Sequence, residues 1–237
     1  MPAGTRLSYV SGRRSVADAR ETRALILRRA ADIGSVDGLE AVTIGRLAGD
    51  LEMSKAGVLG QFGSKEELQL ATVDLAAEIF RANVWDPVAG KTPGIERLLA
   101  ICDTWTSYAE SPPFPGGCFI ATSSFEYASR EGRVHEAVAA AVQLWHVTLV
   151  ADIVRAVEDG ALPDGADPEQ LAFTIEALAS AIKPAAQLRG DHRAAERALH
   201  AMRTALGVAE DPAPGVPAPY ADPTPAPSAG RRPRDRR

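Results

Sequence analysis

Only two cysteines, Cys102 and Cys118, occur in this 237-residue chain. That is too few for a disulfide framework or a metal cluster. Buried, reduced thiols are the default reading, with a redox pair as the alternative. No nucleophile motif surrounds Cys118, and no paired carboxylates or metal-ligand spacings occur, so common hydrolytic and metal chemistries find no footing. The chain has no uninterrupted run of 18 apolar residues, although 46% of it is apolar. It therefore reads as a soluble globular protein with no membrane partner. The first residues are polar and basic, without the apolar segment of a secretory signal, and a cytoplasmic location is expected. No alternating strand pattern is found.

What the chain does carry is helical periodicity. Ile26, Ala30 and Ile33 recur at i, i+4 and i+7, giving one apolar stripe on a first helix that also bears Arg20, Arg23, Arg28 and Arg29. Thr43 is placed to cap a second helix carrying Ile44, Leu47, Ala48 and Leu51. After a turn at Glu52-Met53, Ser54 caps a short third helix in which Val58 and Phe62 face inward. Its outer face holds Lys55, Ala56, Gly57, Leu59 and Gln61. That face is polar and small, and the three-helix spacing fits a helix-turn-helix. Lys suits phosphate or guanine, Gln pairs bidentately with adenine, and small residues permit close approach to base edges. Ser64 and Glu67 form a capping-box pattern opening a fourth helix, where exposed amides and Lys65 suit a phosphate.

The charge distribution agrees. The net charge of −5 divides into +3 over residues 1–65, −9 over residues 66–207 and +1 over the remainder. Positive charge is thus concentrated on the candidate DNA-binding end, with an acidic body turned away. A solvated charge pattern with no partner is the plain alternative.

The residues Thr22-Arg23, Ile26-Leu27, Thr43-Ile44, Leu47-Ala48, Met53-Ser54-Lys55, Val58-Leu59, Phe62 and Ser64-Lys65-Glu66-Glu67-Leu68, at their fixed offsets, resemble the N-terminal domain of TetR-type (tetracycline-repressor-like) regulators. The resemblance covers about a fifth of the chain. It implies an all-helical, homodimeric repressor that contacts operator DNA through its second and third helices. It also implies an effector pocket in a variable C-terminal domain. Carried onto this sequence, the DNA-binding residues are Thr43, Ser54, Lys55, Ala56, Gly57, Leu59, Gln61 and Lys65. The chain departs from the family pattern in several places. Glu52 stands where the turn commonly has Gly, which implies a non-Gly residue at positive φ at a cost of about 1 kcal/mol. Leu59 and Gly57 replace residues that often touch phosphate, and Gln61 stands where Tyr or His is usual. Gly34 replaces the aromatic that often closes the first helix, which implies weaker packing there.

Beyond Leu68 the expected architecture stays all-α, with about nine helices. The fourth helix should run to about Val84, the fifth from Ile95 to Glu110, and the sixth near Cys118–Ser129. The seventh should span Val134 to Glu158. An eighth opens at Asp167-Pro168 and should kink or end at Pro184, and a ninth runs from His192 to Leu206. The domain reading is a disordered basic arm over 1–17, a helix-turn-helix domain over 18–65, a helical effector-binding and dimerisation domain over 66–207, and a disordered Pro/Arg-rich tail over 208–237. Pro115–Phe119 also resembles a subgroup of these regulators, without indicating an effector.

The family resemblance places the dimer surface on the eighth and ninth helices. Trp105, Tyr108, Phe119, Ser123, Tyr127, Trp145, His146 and Phe173 are the candidate pocket residues, aromatic walls with polar handles for a small apolar effector. Taken individually, each is more often plain core than ligand contact. No cofactor is expected. The leading expectation is a ligand-responsive repressor on a palindromic operator. Two alternatives stand beside it: a small helical enzyme with Cys118 as nucleophile and His135 or His146 as base, and a constitutive DNA-binding protein without an effector.

Overall fold

The computed structural model describes residues 16–208. The expected arm over 1–17 and the tail over 208–237 lie almost wholly outside these described residues. Nine α-helices follow one another: α1 (Val16–Asp37), α2 (Ile44–Asp50), α3 (Lys55–Phe62), α4 (Lys65–Phe80), α5 (Ile95–Glu110), α6 (Phe119–Tyr127), α7 (Arg133–Glu158), α8 (Pro168–Arg189) and α9 (Ala194–Ala205). No strand occurs among the described residues. A 3-10 turn at Leu39–Ala41 precedes α2, and a π-turn at Arg81–Trp85 extends α4.

Local chemistry sets the helix starts. The hydroxyls of Thr43, Ser54 and Ser64 accept hydrogen bonds from the amides of Arg46, Gly57 and Glu67 at 3.2, 3.0 and 3.0 Å. Asp167 accepts from Glu169 and Gln170 ahead of Pro168. These are N-caps that satisfy otherwise orphaned first-turn donors. The Ser64 cap is only half of a reciprocal box, because the Glu67 carboxylate is bound by Arg133 at 2.6 Å.

Pro184 does not end α8, which continues to Arg189 and closes on Gly190 in the left-handed region. Pro184 and Ser180, whose carbonyl loses its amide partner there, are both exposed, so water can take the missing donor's place.

Two large apolar cores organise the described residues, with a third, small cluster of Ile182, Ala185, Ala194, Ala195 and Ala198 between α8 and α9. The first joins α1 to α4 through Ile26, Ala30, Leu47, Val58 and Leu68, and it also takes in Phe114, Phe119, Tyr127, Val134 and Val138. The core therefore runs without interruption past residue 65. The second lies between α5, α7, α8 and α9 around Leu98, Ile101, Leu149, Ile153, Ile175 and Met202. A buried ion pair ties α5 to α7. Asp152, 1% exposed at its side chain, binds Arg97 at 2.7 and 2.8 Å and accepts the Gly94 amide at 3.1 Å.

Helix α7 is long and apolar enough to cross a membrane by length and composition. Its sequence shows another reason for that character. Ala140, Leu144, Val147, Ala151 and Val154 are all exposed and fall at i, i+4, i+7, i+11 and i+14, the repeat of a helix seam. On α8, Phe173, Ala177, Ala181 and Leu188 are likewise exposed. The outward residues of α9 are instead Glu196, Arg197, Arg203 and Thr204. The unpartnered apolar faces thus belong to α7 and α8, whereas α8 and α9 were the pair expected.

Candidate nucleic-acid interface and cavity

Helix α3 is anchored from one side and open on the other. Val58 and Phe62 are buried beneath it, while Ser54, Lys55, Ala56 and Leu59 are exposed and Gly57 and Gln61 are half-buried. The Arg23 guanidinium lies 4.2 Å from the centroid of the Phe62 ring and donates to the Gln61 carbonyl at 2.5 Å, clamping α1 onto the last turn of α3. Thr43, half-buried, is held at the start of α2 by its cap. Glu52 sits at φ 52°, the one non-Gly residue at positive φ among the described residues. The Met53 amide still reaches the Ala48 carbonyl at 2.9 Å, so the turn keeps its closing bond.

Among the described residues of this end, four of the seven cations are already paired. Arg28 binds Asp32, Arg29 binds Asp50, Arg46 binds Asp37 and Lys65 binds Glu40 at 2.8 Å. The Lys65 ammonium, read from the sequence as a phosphate ligand, is thus occupied by a carboxylate, and its hydrogen bond holds the Glu40 carboxyl below the usual range. Among the described residues, Arg20, Arg23 and Lys55 carry no carboxylate within 4 Å at this end. Net charge alone does not reveal which cations are free for a polyanion.

Behind this end lies an open cavity of about 1400 Å³ between α4, α5, α6, α7 and α8. Phe80, Trp105 and Trp145 form its aromatic wall in edge-to-face contacts, with ring centroids 5.0 to 6.0 Å apart. Trp105, Trp145 and Phe173 of the expected pocket residues line it.

The other five do not. Tyr108 is buried against Phe80, with centroids 5.4 Å apart. Phe119 is fully buried beside Gly34, and Ser123 is fully buried as well. The Tyr127 hydroxyl donates to Glu40 at 3.1 Å, and His146 is bound by Glu169 at 2.7 Å and by Glu176 at 3.3 Å. The reason is the phase of α6. Positions 119, 123 and 127 share the face turned to α1, while Ile120, Ala121, Ser124 and Phe125 face the cavity. Phe80, Trp85, Ile120 and Lys183 line the cavity and were not foreseen. The i, i+4 spacing of Phe119, Ser123 and Tyr127 was the available signal that those three share one face.

Helix α6 also touches the helix-turn-helix end directly. Glu126 accepts the amides of Leu39 and Glu40 at 2.6 and 3.0 Å. The loop before α6 docks on α1: the Gly116 amide donates to Ser35 Oγ at 3.0 Å, and Arg28 donates to the Pro113 carbonyl while its guanidinium sits 5.0 Å from the Phe114 centroid.

The thiol chemistry considered from the sequence lacks its base. Cys118 interacts with the Tyr108 hydroxyl and the first amides of α6, and burial pushes its thiol pKa up. His135 is held by the Tyr127 carbonyl and His146 by its two glutamates. Both cysteines are free thiols.

Comparison with known proteins follows these features closely. Residues 94–202 match the family described as tetracyclin repressor-like, C-terminal domain. A TetR transcriptional regulator from Chloroflexus aurantiacus J-10-FL superposes with a TM-score of 0.74 at 27% identity, covering 82% of this chain and 98% of that one. A TetR-family transcriptional regulator from Streptomyces coelicolor gives 0.65 at 26%, covering 81% and 97%. AibR, solved with isovaleryl coenzyme A and operator DNA, shares the fold at 0.62 and 21% identity, covering 75% and 95%. A comparison with curated proteins gave no match. The body thus matches the tetracyclin repressor-like C-terminal domain, and the chain as a whole is similar in fold to TetR transcriptional regulators along nearly their full length.

Proposed function

We propose that this protein is a ligand-responsive repressor that binds a palindromic operator as a homodimer and releases it when a small molecule fills the cavity. The observation that carries the reading is the two-faced helix α6. One face walls the cavity through Ile120 and Ala121, and the other holds the DNA-binding end through Phe119 and Glu126. A ligand that shifts α6 therefore moves the 3-10 turn and α1 with it, which is the differential contact that coupling requires. A cavity of this size supports the ligand-responsive reading over a constitutive DNA binder. The AibR complex, with both ligand and operator bound on a similar fold, supports it further.

Lys55, Ala56, Gly57, Leu59 and Gln61 are assigned to base and phosphate contact, with Thr43, Ser54 and the end of α4 at Lys65 alongside. The dimer is assigned to the exposed apolar faces of α7 and α8 through Ala140, Val147, Ala151, Val154 and Ala181, which lie outside the cavity lining, rather than to α9. Two copies place two recognition helices on two half-sites. A cytoplasmic location is in keeping with action on DNA, and the helix-turn-helix over 18–65 with the regulatory body over 66–207 is the division adopted.

Selection of bound duplexes from a random pool, followed by binding titrations across salt concentrations, tests the reading. The expected result is a two-fold symmetric site whose affinity falls steeply with salt, because phosphate neutralisation releases counterions. No enrichment over the starting pool would reject DNA recognition. A monomeric wild type by sedimentation, or a dimer that Val147→Glu leaves intact, would reject the α7/α8 dimer.

A further inference from the structure

We propose that the cavity receives an apolar molecule bearing a single carboxylate, and that Lys183 on α8 is the cation that binds it. The inference rests on reading the cavity as the effector site and names the class of effector.

Lys183 lines the cavity with its stem laid along Gly117, where a β-carbon would lie 2.9 Å from Lys183 Cδ. Gly117 has φ +90° and no side chain, so it leaves the lane in which that stem runs. Among the described residues the ammonium makes one hydrogen bond, a long one of 3.4 Å to Thr122 Oγ1 on α6. Among the described residues of the body, it is the one half-buried Lys or Arg without a carboxylate within 4 Å. Arg81, Arg97, Arg130, Arg133 and Arg155 are all paired.

The other charges at the cavity are accounted for differently. Glu176 is engaged by His146, Asp191 by Arg197 at 3.3 Å, and Arg81 by Asp86. Glu78 and Glu110 are exposed. The interior charge left without a counter-ion is that of Lys183. A half-buried ammonium with no carboxylate partner beside an apolar wall is placed to make a charge-assisted hydrogen bond to a carboxylate acceptor. The adjoining wall of Phe80, Trp105, Trp145 and Ile120 offers an aliphatic or aromatic body mainly apolar contact, with the buried Trp145 Nε1, which has no acceptor among the described residues, as its one polar atom left unpaired. Thr122 and Lys183 also link α6 to α8, so an anion bound there acts on the helix that holds α1.

All three tryptophans of the chain, Trp85, Trp105 and Trp145, line this cavity, so intrinsic fluorescence reports on its occupancy. The probes are decanoate, 1-decanol and decylamine below their micellar concentrations, titrated into wild type, Lys183→Met and Lys183→Arg, with operator release measured in parallel. Met keeps the stem over Gly117, and thermal melting checks that each variant folds. Wild type should bind decanoate about tenfold to a hundredfold more tightly than decanol, and decylamine most weakly. K183M should bind the acid and the alcohol alike, while K183R keeps the preference. A preference for decylamine or decanol, or a carboxylate preference that survives K183M, overturns the proposal. Absence of binding by all three overturns it together with the cavity reading. Lys183-dependent decanoate binding that leaves operator affinity unchanged sustains the anion site and refutes the effector reading.

Discussion

The ring of Phe119 occupies the space that a side chain at Gly34 would need. A β-carbon at Gly34 would stand 2.5 Å from Phe119 Cε2. The first helix therefore does obtain an aromatic to close it, supplied from α6, and the weak packing expected from a glycine there does not occur. Gly34→Ala should overpack this contact and destabilise the fold by about 1–3 kcal/mol. Adding Phe119→Leu should recover part of the loss, as measured by chemical denaturation. Additive losses in the double variant would show that the two positions are not coupled.

Lys55 and Lys65 should behave differently although both flank the recognition helix. Lys55 has no carboxylate partner, whereas Lys65 is held by Glu40. Lys55→Ala should reduce the slope of log affinity against log salt by about one per half-site. Lys65→Ala should change that slope by less than half as much, since it removes a cation already neutralised. Equal changes in both variants would mean that the Lys65–Glu40 pair opens on DNA.

Asp152 is the most deeply buried charge in the described chain, and its carboxylate serves both Arg97 and the Gly94 amide. Asp152→Ala should cost about 3–5 kcal/mol, because Arg97 and the amide lose their partner inside the fold. Exchange to Asn should cost less, since it keeps an acceptor for Gly94. The denaturation midpoint distinguishes these outcomes, and a neutral Asp152→Ala would contradict the structural role.

His146 makes the α7–α8 contact sensitive to pH. Hydrogen bonding to Glu169 is the leading cause that raises its pKa, and Glu176 adds to it; burial raises the Glu176 pKa in turn. A histidine whose folded-state pKa exceeds its unfolded value stabilises fully below the unfolded value of about 6.5. That contribution is lost as pH rises through the folded value. The melting temperature of wild type should therefore exceed that of His146→Gln by more at about pH 6 than at about pH 8. A constant difference across that interval would place the role of His146 in packing alone.

Features resting on neighbours in sequence were legible from the chain. Thr43, Ser54, Ser64 and Asp167 cap amides two or three residues away, and the turn at Glu52 adopts positive φ because the α2–α3 connection is short. Helical period alone placed Val58 and Phe62 inward. The cavity was far less legible. Trp105 and Trp145 reach it, but Phe119, Ser123 and Tyr127 sit on the opposite face of the same short helix. Periodicity shows that these three belong together, yet it does not say which of two apolar surroundings they meet.

Helix type, caps and the exposed recognition face follow from interactions whose range is a turn or two of backbone, so the residues themselves settle them. The filling of Gly34 by Phe119, the neutralisation of Lys65 by Glu40 and the isolation of Lys183 in an apolar wall join positions 25 to 85 residues apart in the chain. Such contacts depend on how the helices stack and rotate against one another. That is a collective outcome of packing in which each helix takes its orientation from all the others.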